Sequence, residues 1–578
     1  MNHSTIFVEE YLSTLKEDQE LDYLFPMLLQ QMGFRIIQTA KESKGQNQYG
    51  KDVIAIGKDH QGVKHRWYFE LKGYTDRNIT DKNYASVDGI RESIIEAKDT
   101  VFHDSSIPEF NDLPIKIVLV HNGIIKPNVR PTFEGFIREL FKDNKNTFER
   151  WDIYRLTELF SKYLFNEYLL MDVESNRLFK KTLAFMDIPN YDLKDFKALI
   201  GLQLEKVTSF KGRAFEKLFA TLTLLETLLF HYSKENRNLN VAKEGSKFLV
   251  LQTWHWILKH KHEKKKSVIS RYNQLLSIQK NILNAYFDKT LPIARIANGL
   301  YAENGAFFER IGYPLRCFDY LDDMIYYCRL QQHAPNSRGI SKYNNDLHQK
   351  QKDLIIEVVE QNPGFHCPII DNHSIPIMQL FLFFANKETL REKDMQFLGK
   401  YFIELVFSII REKRIYDRFP ELHNNLDAVV EAVATNKKPK VYCDSSSILI
   451  AFLLEISAVL NYQSLFDILF QYIPRELSLQ IPSITFENND VELLFFEKNL
   501  HKEYYIESIE RKPDETTFWV DDPDFQKFKE FTISKQDVLP RYRTDDQGMS
   551  FLRYLAHSYY KNEILPQEWR KNSFEGIQ

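Results

Sequence analysis

Two apolar stretches, each bordered by a carboxylate, constrain this sequence more than any other feature. Gly50-Lys51-Asp52 leads into Val53-Ile54-Ala55-Ile56, and Trp67-Tyr68-Phe69 runs into Glu70-Leu71-Lys72. Between them lies Gly57-Lys58-Asp59-His60-Gln61-Gly62-Val63, a polar stretch suited to a hairpin turn. With Gln61 at the centre of the turn, Asp52 faces Glu70, and directly opposed residues project to one face. Lys72, two residues beyond Glu70, shares that face by strand alternation. Three ionisable side chains are therefore expected at one end of the hairpin, in a register that a one-residue slip would undo. Charges at the ends of apolar strands are costly to desolvate unless paired or metal-bound. Oxygen donors favour a hard ion such as Mg²⁺ or Mn²⁺, which keeps several waters. Such an ion can acidify a water and stabilise charge on a phosphodiester, with Lys72 orienting the water or neutralising the phosphorane. The competing explanation is an ordinary Glu70–Lys72 ion pair on an exposed strand, and the apolar Trp67-Tyr68-Phe69 run argues against it.

The surroundings read as mixed α/β. Leu21, Leu24, Phe25, Leu28 and Leu29 form one helical stripe over 21–32, ended by Gly33, and a short strand follows over 34–39. After the hairpin, Val87, Ile90, Ile94 and Ile95 recur at helical spacing, and 115–120 is a β-branched run of the kind buried on both faces of a sheet. Phe133, Phe136, Ile137, Leu140 and Phe141 mark another helix. A strand over 152–154 and a helix capped by Thr157 are expected next. The resulting order is α-β-β-β-α-β-α-β-α, a small mixed sheet with helices on both sides.

Asp52, then Glu70-Leu71-Lys72, in this order of elements resembles the PD-(D/E)XK nuclease superfamily. The detail is most similar to its Mrr-like restriction endonuclease branch. Leu28-Leu29-Gln30-Gln31-Met32-Gly33-Phe34 is similar to that branch's passage from first helix to first strand, and Trp151-Asp152-Ile153-Tyr154-Arg155-Leu156 to its closing strand and helix. The resemblance spans roughly residues 15–168. It implies a restriction-endonuclease-like α-β-β-β-α-β core with Asp52 and Glu70 as metal ligands, joined by the backbone carbonyl of Leu71. It also implies a catalytic Lys72, with Asp22 on the first helix as a further ligand. One departure is Lys51, where the branch often has a Pro or an apolar residue before the Asp. Arg77, Lys82 and Arg91 lie where a substrate strand would run and are candidate phosphate contacts.

Beyond about residue 190 helical periods dominate and strands become rare. Helices are expected over 215–232, 248–260, 267–287, 401–414, 448–460 and 463–473, with polar breaks over 331–352 and 489–522. This gives a nuclease-like domain over 1–168, a helical domain over 169–335 and a second, mostly helical domain over 353–578, a sensor or oligomerisation region. A chain of 578 residues exceeds one core. The net charge of −4 gives no global basic field, so any nucleic-acid groove must be locally positive. The four cysteines form no CxxC pair, which suits free thiols in a reducing cytoplasm. The first residues lack the pattern of a signal peptide, and no apolar stretch reaches the ~20 residues of a bilayer span.

Several other features have bland explanations. The basic run over 259–266 reads as a helix end, Trp254 and Trp256 as core, and the Tyr442-Cys443-Asp444-Ser445-Ser446-Ser447 stretch as the approach to a helix cap. No Gly-x-x-x-x-Gly-Lys-Ser/Thr motif is present, so no built-in P-loop NTPase is visible.

The expected function is a Mg²⁺- or Mn²⁺-dependent endonuclease, DNA ahead of RNA as substrate. By the resemblance it acts in bacterial restriction or antiphage defence, with the helical region regulating or targeting it. Cleavage of both strands favours a homodimer or higher oligomer, and an activating ligand or partner protein fits a guarded nuclease. The alternative is a non-catalytic nucleic-acid- or protein-binding module on a nuclease scaffold.

Overall fold

The computed structural model describes residues 3–39, 49–142, 146–164, 172–188, 191–207, 210–333, 343–473, 477–479, 491–497, 524–534, 542–562 and 569–570. The chain divides into two compact units, Met1–Leu249 and Val250–Gln578.

The first unit is built on one five-stranded sheet with its strands in chain order. These are β1 (Arg35–Gln38), β2 (Val53–Lys58), β3 (Lys64–Lys72), β4 (Ile115–His121) and β5 (Asn146–Trp151). The first three pair antiparallel and the last two add in parallel, so the sheet is mixed. The hairpin takes the expected register, with Val53 opposite Phe69 and Lys58 opposite Lys64. Its turn is locked by Asp59, whose Oδ1 accepts from the Gln61 and Val63 amides at 2.9 Å each, while Gly62 supplies a φ of +82°.

Alternation along β3 separates two environments. Trp67 and Phe69 face α2 (Asp22–Gln31), where Phe25, Phe34 and Trp151 complete an aromatic cluster. Phe25 and Phe69 meet edge to face at 5.0 Å, and Phe69 lies 5.5 Å from Trp151. A side chain at Gly57 would strike the Phe34 ring at 2.3 Å, so this strand position has to be bare. On the opposite face Tyr68 joins Ile54, Ile56, Ile115 and Ile117 beneath Ala97 of α4 (Ile90–Asp99), with short helix α3 (Asp81–Tyr84) just before it. Leu119 packs there too, against Ile90, Ile94 and Phe133 of α5 (Arg130–Leu140).

The expectations need three corrections in this unit. Val87 is 89% exposed and precedes α4 instead of belonging to its stripe. The last strand is 146–151 and not 152–154, because Asp152 turns the chain into α6 (Ile153–Tyr163) by accepting from the Arg155 amide at 3.2 Å. Asp152 is therefore the cap, and Thr157 is a buried interior residue of that helix.

Three further helices, α7 (Val173–Phe185), α8 (Lys194–Glu205) and α9 (Gly212–Glu235), belong to the first unit. The sequence places domain limits at 168 and 335, both outside the described residues. The two compact units meet within the helix Leu239–Lys259. α9 packs on α1 (His3–Ser13), which ties these helices to the sheet-bearing part.

The second unit is helical, and its described residues hold isolated bridges but no strand. The helices expected from periodicity are present as Lys266–Ala294, Glu392–Tyr416, Ile448–Val459 and Gln463–Tyr472. The 331–352 break is shorter than expected, since Asn345–Gln361 is already helix, capped by Asn344. Most of the 489–522 break lies outside the described residues. Ile448–Val459 is buried throughout, and its first amides are taken by Asp371 (Ile448 N–H at 2.7 Å) and by Ser447 (Ile450 N–H at 3.0 Å). Glu455, which interrupts that apolar run, accepts from Trp569 at 2.8 Å and pairs with Arg570. No described helix is long and apolar enough to cross a membrane.

The aromatic cluster should dominate the stability of the first unit. Phe69→Ala, measured by chemical denaturation, is expected to cost about 3–5 kcal/mol. A loss below about 1 kcal/mol would show that Phe25, Trp67 and Trp151 close over the gap.

Candidate active site

Asp52 stands immediately before β2, outside its paired residues, and its amide donates to the Phe69 carbonyl at 2.9 Å, which holds it at the end of the strand pair within reach of the Glu70 charge. Its Oδ2 accepts from the Leu71 amide at 2.7 Å. Asp52 and Glu70 are buried, 8% and 5% exposed, at the end of a strand pair whose adjoining residues, Val53–Ile56 and Trp67–Phe69, are apolar. Lys72 Nζ lies 2.8 Å from Glu70 Oε1 and 3.5 Å from Glu17 Oε1. The three residues singled out in the sequence therefore meet.

Electrostatics makes the meeting costly. Burial, then the Glu70 charge, pushes the Asp52 carboxyl well above the usual carboxylate range, only partly offset by Lys72 and the Leu71 amide. Burial alone would lower Lys72, but Glu70, Glu17 and Asp52 together hold it above the ordinary lysine value, so it stays protonated. Lys51 is buried with Nζ donating to the Tyr49 carbonyl at 2.9 Å and 5.4 Å from the Tyr68 ring centre. Burial pushes it down to about 8, against the pull of Glu96 and Glu70.

Glu17 was not foreseen. It sits in a single wide turn, Glu17–Leu21, between α1 and α2, and burial raises its carboxyl against the pull of Lys72. Gly73 makes the approach possible, because a Cβ there would lie 1.9 Å from the Glu17 amide nitrogen. The charges acting on Asp52 and Lys72 include Glu17, and Asp22 is not among their main neighbours. The only sequence signal was the acidic run Glu17-Asp18-Gln19-Glu20 just ahead of the first stripe.

His121, in register with Lys72 on β4, is fully buried. Its Nδ1 lies 2.9 Å from the Arg77 carbonyl, its Nε2 has no partner among the described residues, and burial lowers it to about 4, so the ring is neutral. Arg77 is committed elsewhere, its Nη1 donating to the Ser13 carbonyl at 2.5 Å and its guanidinium lying 5.0 Å from the Tyr74 ring centre. Arg91 lies over Phe136 at 5.2 Å, and Lys82 is exposed on α3.

The donor set suits a hard divalent ion. Its atoms are carboxylate oxygens, and a divalent ion would offset the burial and the Glu70 charge that raise the Asp52 carboxyl. Among the described residues no three Asp, Glu, His or Cys side chains are grouped closely enough to hold an ion.

A separate cavity of about 210 Å³ lies in the second unit, lined by Arg310, Tyr313, Arg418, Phe419 and Tyr442 among others. In comparisons with family models, curated proteins and solved structures, the chain matches none.

The raised Asp52 carboxyl fixes a sign. The native state holds that proton more tightly than the unfolded chain, so stability falls as pH rises from the ordinary carboxylate range upward. Asn cannot ionise and can still accept from the Leu71 amide. In chelator at pH 8, Asp52→Asn should melt at least ~2 °C above the parent, the shift expected of about 1 kcal/mol in a unit this size. The difference should vanish toward pH 4. An equal or lower melting temperature at pH 8 would show that Lys72 already compensates the charge.

Proposed function

We propose that this chain is a Mg²⁺- or Mn²⁺-dependent nuclease hydrolysing phosphodiester bonds, DNA ahead of RNA. Its fold would be the restriction-endonuclease-like core of the PD-(D/E)XK superfamily, in the Mrr-like branch. The observation that carries it is the meeting of Asp52, Glu70 and Lys72 at one end of an apolar strand pair. Such an assembly costs stability and is the kind kept for chemistry.

Asp52, Glu70 and the Leu71 carbonyl would hold the ion, with Glu17 beside them against Lys72 and not as a third carboxylate ligand. The ion would supply a polarised phosphoryl group and a water of lowered pKa. Lys72, protonated, donates to a non-bridging phosphate oxygen and neutralises the charge that builds there, and it does not serve as general base. His121 is neutral and keeps a bare imidazole nitrogen beside the strand end. Exposed Lys82 and Arg91 are available to phosphates, whereas Arg77 is engaged with the end of α1.

In this proposal the second unit restrains or targets the nuclease, in restriction or antiphage defence inside the cytoplasm. An activating small molecule would be held in its Arg310- and Arg418-lined cavity, and a homodimer would present two sites to a duplex. One observation favours a non-catalytic binding scaffold instead. The Glu70–Lys72 ion pair at 2.8 Å satisfies both groups with no metal.

Cleavage separates the two. Purified protein incubated with plasmid, linear duplex, single strands and RNA should cut at least one of them with Mg²⁺ or Mn²⁺ and none in chelator. Asp52→Ala and Lys72→Ala should lose about 10²–10³-fold or more, since each ~1.4 kcal/mol of transition-state stabilisation is tenfold in rate. Undiminished cutting by Asp52→Ala, freed of host nuclease, would sink the proposal.

A further inference from the structure

The segment that brings Glu17 to Lys72 joins the end of α1 to the wide turn at Glu17, and the carbonyls left open at that helix end have to be satisfied from outside. Every carbonyl from Leu12 to Leu15 is taken by a donor from a distant part of the first unit. Asn122 Nδ2 donates to Leu12 at 2.7 Å and to Leu15 at 2.8 Å, and the Tyr74 amide also donates to Leu15 at 2.8 Å. Arg77 Nη1 donates to Ser13 at 2.5 Å. Arg213 Nε donates to Thr14 at 2.9 Å, reaching across 199 positions of sequence from the first turn of α9.

The other side of Glu17 is held by the same turn of α9. Glu20 closes the segment on itself by accepting from the Lys16 amide at 2.7 Å. Lys217 Nζ meets its Oε1 at 2.5 Å, and Arg213 Nη2 pairs with its Oε2. Burial alone would raise Glu20, but Lys217, the Lys16 amide and Arg213 hold it below its ordinary value, so it is a carboxylate with its charge answered. Tyr74, next to Gly73, lies under both Arg77 (5.0 Å) and Arg213 (5.3 Å), with its hydroxyl 3.5 Å from Glu216. Arg213 thus touches each side of the Glu17 turn and the ring beside its glycine.

We propose that α9 is a working part of the site, with Arg213 and Lys217 as positioning residues that hold Glu17 against Lys72. The nuclease then extends through α9, and a chain cut near residue 185 would lose the clamp. The effect on catalysis rests on the nuclease proposal, while the effect on the Glu17 segment does not.

Full-length Arg213→Ala, Arg213→Lys, Glu20→Gln, Glu17→Gln and the Arg213→Ala/Glu17→Gln double variant separate the two. Hydrogen exchange of amides over 12–21 reads the segment directly, and plasmid cleavage against Mg²⁺ concentration reads the site. Exchange should quicken at least about tenfold in Arg213→Ala and in Glu20→Gln, the conservative variant that keeps the fold testable, with partial recovery in Arg213→Lys. Cleavage should need more Mg²⁺ in Arg213→Ala, and the double variant should be no worse than Glu17→Gln, since the two act through one group. Unchanged exchange in both Arg213→Ala and Glu20→Gln, or losses that multiply in the double variant, would overturn the inference. A parent that cuts no nucleic acid would sink the nuclease proposal, and the exchange rates would still decide the clamp.

Discussion

Two carboxylates and a lysine are brought together at one end of a strand pair whose middle, Val53–Ile56 against Trp67–Phe69, is apolar, and the first unit is organised around that strain. The hairpin register runs to Val53 opposite Phe69, Asp52 is held just beyond it by the Phe69 carbonyl and the Leu71 amide, and Lys72 pairs with Glu70. Burial and mutual repulsion then leave Asp52 short of positive charge, with Lys72 already shared between Glu70 and Glu17. An apolar pair of the same shape would be more stable. That such groups persist in the middle of an aromatic and aliphatic core is the physical reason for assigning chemistry to this place.

The scaffold answers the strain with fixed donors and bare positions. Asp59 and Gly62 set the turn that sets the register, Gly57 yields to Phe34, and Gly73 yields to the Glu17 backbone. The carbonyls at and just after the end of α1 are held by side chains from Asn122 just after β4, from the loop after β3 and from α9. This network explains why the first compact unit runs on to Leu249 instead of closing after α6. A site on three chain segments needs the far one to stay in place.

What was legible in the sequence followed short-range rules. The polar turn, the apolar alternation and the order of elements yielded the hairpin register and the meeting of Asp52, Glu70 and Lys72, and helical periodicity located the main helices of the second unit. Errors arose where one residue type serves two ends. Asp152 could close a strand or cap a helix, and its hydrogen bond to Arg155 decides for the cap. Val87 continued an apolar period past the helix start and is exposed. Glu17 and Arg213 were out of reach because their roles depend on contacts across 55 and 199 positions, which no local pattern encodes. Arg77 looked like a phosphate contact from its place after Lys72, and its guanidinium instead closes the end of α1.

In the proposed nuclease Asp52 and Glu70 would bind a divalent cation. Titrating Mn²⁺ into the full chain and following the free ion by electron paramagnetic resonance addresses it without any substrate. Saturable binding in the parent, abolished or severely weakened in Glu70→Ala, is the expected outcome. A parent that leaves the Mn²⁺ signal untouched, or a Glu70→Ala variant that binds as tightly, would mean the carboxylates serve the fold alone.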